Sequence, residues 1–225
     1  MSSIAESDFD WQSGPSDAGL PISQSEQFVT RLYVAVDNAT ARELDRQHGE
    51  NGVVPTCTLG CCHCCRFHVV LNVAEAHTLA RYIKRVFSAD QIDAIRMRTL
   101  RWHEWDDSRP GRSRTPDAGD APHFAGYQHF CPLLLNGCCS VYPVRPMVCR
   151  THYVTSDARY CDAANNPQKT EDPPVALLSV VNAASLFSGA LREYIESTGR
   201  DFSRSNMLLP HWLAIQMDWD FAIAP

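Results

Sequence analysis

The sequence predicts a mostly α fold: a small helical domain whose irregular loops are pinned by a cysteine-ligated metal site. Three observations lead there. Apolar residues recur at spacings of three or four behind recognisable helix caps. Between the helical stretches lie irregular segments rich in Pro, Gly and Asp. Ten cysteines fall into two groups, Cys57, Cys61, Cys62, Cys64 and Cys65, then Cys131, Cys138, Cys139, Cys149 and Cys161.

The elements follow in order. Residues 1–21 mix Ser, Asp, Gly and Pro without apolar periodicity and read as a mobile tail, leaving 22–225 as a single domain. From Ser23 the pattern turns helical, with Phe28, Leu32, Val36 and Ala39 on one face. Ser23 and Glu26 read as a capping box, and Gly49 as the stop. Phe67 to Leu71 is a short apolar run of ambiguous type. Asn72 with Glu75 opens a helix to about Phe87, and Ser88 caps another over about Ala89 to Asp106. Asp107 to Pro122 and Asp162 to Pro174 read as polar loops. Pro174 is placed to open a helix reaching Thr198, and Leu208 to Met217 a short final one.

Composition bounds the function. The chain has 225 residues, 44% hydrophobic and 20% charged, enough apolar content for a packed core. Its net charge of −6 argues against a generic nucleic-acid binder. The Arg-rich stretch from Arg81 to Arg114, with Trp102 and Trp105 inside, reads as a solvated helix face with the two indoles turned inward. No apolar run approaches the ~20 residues of a membrane span. The first twelve residues are acidic and lack a basic start with an apolar stretch, so a cytoplasmic location is expected.

In such a chain a cysteine cluster points to metal more than to disulfides. Cys61 and Cys64 form a C-x-x-C knuckle, which lets two thiolates reach one ion from the same turn. In extended backbone adjacent side chains point to opposite sides. Cys64 and Cys65 are therefore expected to serve two neighbouring sites or a polynuclear cluster. In the second group, Asn136-Gly137 is a turn dipeptide that folds Cys131 and Cys139 toward each other. Pro143 and Pro146 forbid a regular helix before Cys149. Buried thiolates need compensating charge. Arg66, Arg145, Arg150 and Arg159 lie within five residues of a cysteine, with Arg145 and Arg150 the foremost candidates. His63, inside the cluster, and His152, just after Cys149, are candidates for ligand and supporting roles.

Two blocks carry a resemblance to a family. Cys61-Cys62-His63-Cys64-Cys65-Arg66 is similar to a C-x-x-C-x-x-C-C-R ending. Cys131-Pro-Leu-Leu, Gly137-Cys138-Cys139-Ser-Val-Tyr142 and Arg145-Pro146-Met-Val-Cys149-Arg150 resemble a CPxL…GxCxxYxxRPxxCR pattern. The chain thus resembles the YkgJ-type cysteine-cluster proteins, the zinc- or iron-chelating CxxCxxCC family, over roughly Cys57 to Cys161. The resemblance implies metal ligation by Cys61, Cys64, Cys65, Cys131, Cys139 and Cys149. Cys57 stands one residue before the family's first cysteine position, here Thr58. Cys161 completes a set of eight, and Cys62 and Cys138 are extra. The implied cofactor is zinc or iron, the latter as a 4Fe–4S cluster, and the implied partner a protein or an electron donor. One branch resembles flagellin lysine methylases with an iron–sulfur cluster. The alternative function is therefore an iron–sulfur-dependent redox enzyme or a methylase-like protein-modifying subunit. No glycine-rich cofactor loop independently supports methyl transfer. A module sensing metal or redox state through exposed thiolates is the third reading.

Overall fold

The computed structural model describes residues 21–58, 60–108, 129–163 and 172–221. The predicted tail up to residue 20, most of the Asp107–Pro122 loop and the middle of Asp162–Pro174 lie outside them. Helices dominate the described residues, in the order α1 (Ser25–Asn51), β1 (Val70–Asn72), α2 (Val73–Val86), α3 (Ala89–Ser108), β2 (Leu134–Leu135), β3 (Cys138–Cys139), α4 (Met147–Arg150), α5 (Ala158–Ala163), α6 (Leu178–Ala183), α7 (Ser185–Ser197), β4 (Asn206–Leu208) and α8 (Leu209–Gln216). None of the helices is long and apolar enough to cross a membrane.

Helix α1 is the spine. Its face of Phe28, Leu32, Val36 and Ala39 is buried as the spacing predicts, and it packs against α2, α4, α6 and α7. The Phe28 and Tyr194 rings stack 4.3 Å apart at its start. Its boundaries differ from the sequence reading. A 3-10 turn, Ile22–Gln24, precedes it, so Gln24 occupies the cap without a side-chain bond and the Ser23–Glu26 box does not form. Glu26 instead pairs with Arg81 and Arg85 of α2. At the other end Gly49 stays helical, and the left-handed residue is Gly52 at φ 64. Its N–H reaches the His48 carbonyl, closing the helix with the conformation glycine adopts most readily.

The cap of α2 forms as expected. Asn72 Oδ1 accepts from the N–H groups of Ala74 and Glu75, both at 3.1 Å. Ser88 and Gln91 exchange bonds at the start of α3. The ambiguous run before α2 resolves as β1, antiparallel to β4, with Leu71 opposite Met207. Each strand feeds directly into a helix, and Trp212 Nε1 of α8 donates to Leu71 O at 2.8 Å.

Pro174 does not open a helix. Residues 174–177 run alongside 153–156 instead: Val154 bridges Ala176, Thr155 N donates to Val175 O, and Leu177 N donates to Tyr153 O. Backbone pairing with a distant segment outweighs the local helix signal, and α6 starts only at Leu178. Trp102 is buried against His103 and His211, and Trp105 packs beside it, so both indoles turn inward.

Candidate metal centre

The first cysteine group leaves α1 through an extended stretch. Thr56 N donates to Val154 O, and Val154 N donates back to Cys57 Sγ at 3.4 Å. The chain then tightens into a 3-10 turn, His63–Arg66. This turn changes the expected directions of Cys64 and Cys65. The backbone is coiled, not extended, and the two thiols hydrogen-bond to each other. The alternation argument from extended chain does not apply to a 3-10 turn of four residues.

The second group reaches the same place by three local devices. Cys131 N donates to Cys65 O at 2.6 Å, joining the groups directly. Asn136 and Gly137, at φ 51 and 76, make the two-residue turn of the β2–β3 hairpin, with Leu134 opposite Cys139. Ser140 N and Oγ both donate to Leu133 O. After a 3-10 turn at Tyr142–Val144, Pro146 precedes the single turn of α4, which carries Cys149.

The result is a cavity of about 110 Å³ with six thiols on its wall: Cys61, Cys64, Cys65, Cys131, Cys139 and Cys149. Val69, Leu133, Val141 and Leu209 supply apolar lining, and Arg145 a cation. Cys57 is half-buried beside Val154, and Cys161 is buried in α5. Cys138 is exposed on the hairpin. Cys62 lines a separate cleft with Arg98 and Arg101. None of the ten cysteines is in a disulfide. As the side chains stand, no three His, Cys, Asp or Glu groups among the described residues close on a single point that could hold a metal ion. The thiols ring a space instead of meeting.

Burial dominates their electrostatics. It pushes the Cys131 thiol up to about 12 and Cys149 well above the ordinary thiol range. Cys139 and Cys57 are raised for the same reason, and Cys161 to about 11. Cys64 is the exception. The hydrogen bond donated by Cys65 lowers it to about 7, with help from the Arg145 charge, while Cys65, the donor, is pushed up.

The arginines divide their work. Arg150 is a clamp: Nε donates to Arg145 O, and the fork reaches Asp37 and Pro143 O. Its guanidinium lies 4.0 Å over the Tyr33 ring. Arg145 stacks on Tyr142 beside the cavity, and its Nε is enclosed without a hydrogen-bond partner. Arg66 pairs with Asp162 at 3.1 Å and Arg159 lies over the Tyr160 ring. His63 Nδ1 faces Asp162 at 3.7 Å, and His152 packs edge-on against Phe67.

Sequence reasoning missed the residues beneath the site. Glu75 is buried and accepts from Tyr33 Oη at 2.9 Å, Met147 N at 2.8 Å and Asn72 Nδ2 at 2.6 Å. It thereby fastens the first residue of α4 to α1 and α2. The Asn72–Glu75 cap spacing was the only signal it gave. Arg98, whose Nε donates to Pro132 O, also acts on the Cys131 thiol.

The donor set fits a thiolate-bound metal group. Six thiols from two blocks line one cavity, and an unpartnered guanidinium nitrogen, Arg145 Nε, belongs to a residue of its wall. No family model matches the chain, and no curated protein or solved structure is detectably similar to it.

Proposed function

We propose that this chain is a metal-binding cysteine-cluster protein, holding an iron–sulfur cluster or zinc through its two Cys-rich blocks, as its resemblance to the YkgJ-type proteins implies. One observation carries the reading: cysteines more than sixty residues apart in sequence line one cavity of about 110 Å³. A space of that size has room for several water-sized bodies. It suits a polynuclear core better than one ion drawn in to Zn–S bonds of about 2.3 Å. Cys61, Cys64, Cys65, Cys131, Cys139 and Cys149 would supply the sulfur donors. Arg145, Arg98 and Arg150 set positive charge beside them, and the apolar lining limits water. An iron–sulfur core would supply one-electron chemistry, and zinc a permanent cross-link. Zinc stays as the second reading because the Cys61–Cys64 knuckle suits a single tetrahedral ion.

The test is elemental analysis with acid-labile sulfide and a visible spectrum on protein purified without oxygen. Iron with matching sulfide and a broad brown absorption supports the cluster. Colourless protein with stoichiometric zinc supports the second reading. A folded chain that takes up neither iron with sulfide nor zinc on reconstitution overturns both.

A further inference from the structure

We propose that a cleft of about 340 Å³ beside the cavity, lined by Arg98 and Arg101 of α3, binds the phosphate group of a small organic molecule. Cys131 belongs to the walls of both the cleft and the cavity, so the bound molecule would adjoin the proposed metal centre. The anion site is built from other side chains than the thiols and does not rest on the metal-binding reading.

The two arginines stand three residues apart on α3, the spacing that puts side chains on one helix face. Both line the cleft, and among the described residues its lining includes no carboxylate. Arg98 is anchored at one end: its Nε donates to Pro132 O at 2.9 Å. Its Nη2 is enclosed and has no hydrogen-bond partner. An enclosed charged donor left unpaired is costly, and an anion that accepts from it removes that cost. Like charges at this spacing also repel each other. An acceptor shared between the two guanidinium groups turns the repulsion into a common attraction.

The charge and the rest of the wall set the ligand class. Two guanidinium groups balance a phosphate monoester, which carries about −1.5 to −2 charge at pH 7 and offers three acceptor oxygens. Phe130 and Leu134 supply an apolar wall for the organic part. Arg66 lies 4.0 Å over the Phe130 ring and steadies it. The volume falls within the ~300–1,000 Å³ of clefts that hold small molecules. The charges of α3 point away from a polymer. The helix carries Asp90, Asp93, Glu104, Asp106 and Asp107 against Arg96, Arg98 and Arg101. Its cation pair is therefore local to the cleft, not part of a basic stripe that tracks a nucleic-acid backbone.

The test is calorimetric titration of the full-length chain, isolated anaerobically, at constant ionic strength. Inorganic phosphate is the probe, and succinate, a dianion without the tetrahedral group, is the second arm. Saturable binding of one phosphate per chain is expected, with succinate weaker. Arg101→Gln should weaken phosphate about tenfold or more, the loss of one charge-assisted hydrogen bond, with metal content and circular dichroism unchanged. Arg98→Lys, which keeps the charge but not the fork, should weaken it as well. Arg96→Gln removes the same charge from the same helix outside the cleft, where Arg96 pairs with Asp93, and should leave the affinity unchanged. No saturable binding by the wild-type chain up to about 10 mM phosphate, a result that needs no variant to fold, overturns the proposal and leaves the metal-binding reading intact. Undiminished binding by a folded Arg101→Gln chain overturns it too, as does an equal loss in Arg96→Gln. Succinate bound as tightly as phosphate overturns the phosphate assignment.

Discussion

Replacing Glu75 by Gln should loosen the platform beneath Cys149, and the hydrogen bonds fix the size of the effect. Oε1 accepts from Tyr33 Oη and Met147 N, and Oε2 from Asn72 Nδ2. A Gln amide placed with its oxygen on the Oε1 side turns its NH₂ toward the Asn72 NH₂. Asn72 cannot flip in reply, because its Oδ1 already accepts from Ala74 N and Glu75 N. The reverse orientation sets the NH₂ against Met147 N–H. Either way one donor faces another in a buried site, a loss of about 1–3 kcal/mol for a buried polar group left unsatisfied. Glu75→Ala deletes all three bonds and should cost about 3–5 kcal/mol. With a urea m-value of about 2–3 kcal/mol/M, Glu75→Gln should lower the midpoint by about 1 M without changing m. The pH dependence has a defined sign. Burial raises the Glu75 carboxyl above its unfolded value. The associated stability is thus complete below about pH 4.3 and is lost as pH rises through the folded value. The gap between wild type and Glu75→Gln should therefore narrow as pH rises. Urea titrations at pH 5 and pH 8 measure both effects. A midpoint shift below about 0.2 M at both values would refute the assigned hydrogen bonds.

Other outcomes follow from particular residues. Gly137→Ala has open space for its methyl, but φ +76 imposes left-handed strain of about 1–2 kcal/mol. Because that turn aims Cys139 at Cys131, metal content should fall more than thermal stability, as paired metal analysis and melting would show. Glu26 is held below the usual carboxylate range by its hydrogen bond to Arg85. Its stabilisation, below about 1 kcal/mol for so open a pair, is present above about pH 4.3 and lost as pH falls through the folded value. Glu26→Gln should lower stability by that small amount at neutral pH, leave it unchanged in strong acid, and so flatten the acid limb of a stability curve slightly. Chelation should destabilise the loaded chain: at free metal a hundredfold above Kd the linkage is worth about 2.7 kcal/mol. That corresponds to a fall in Tm of about 5–10 °C in calorimetry for a chain of this size.

The sequence made the helices legible where local signals agreed with tertiary packing. The Asn72 and Ser88 caps hold because their side chains have no better partner than the backbone they precede. Ser23 and Pro174 mislead because distant residues compete for the same segments: Arg81 and Arg85 take Glu26, and residues 153–156 take the backbone after Pro174. Asn136-Gly137 forecast a hairpin correctly, since its positive φ angles belong to the dipeptide itself. Six cysteines named from the resemblance line one cavity. Spacing alone misjudged the directions of Cys64 and Cys65, because a 3-10 turn is not visible in a cysteine pattern. Glu75 was legible as a cap residue but not as a buried acceptor. Its partners Tyr33 and Met147 are 42 and 72 positions away.

The β1–β4 ladder has a kinetic consequence. Its register joins Leu71 to Met207, and Trp212 reinforces it across 141 positions. Closing so long a loop is among the slowest steps available to a folding chain. Both strands lead straight into helices, so the ladder sets α2 and α8 side by side, where they pack together. The union of Cys131, within that loop, with Cys65, just before β1, shortens the stretch still to be closed. The gain in loop entropy is below about 1 kcal/mol, since closure cost grows only logarithmically. The order of events is the larger effect. A chain whose cysteine groups are joined early presents β1 to a partner strand that has fewer residues left to search.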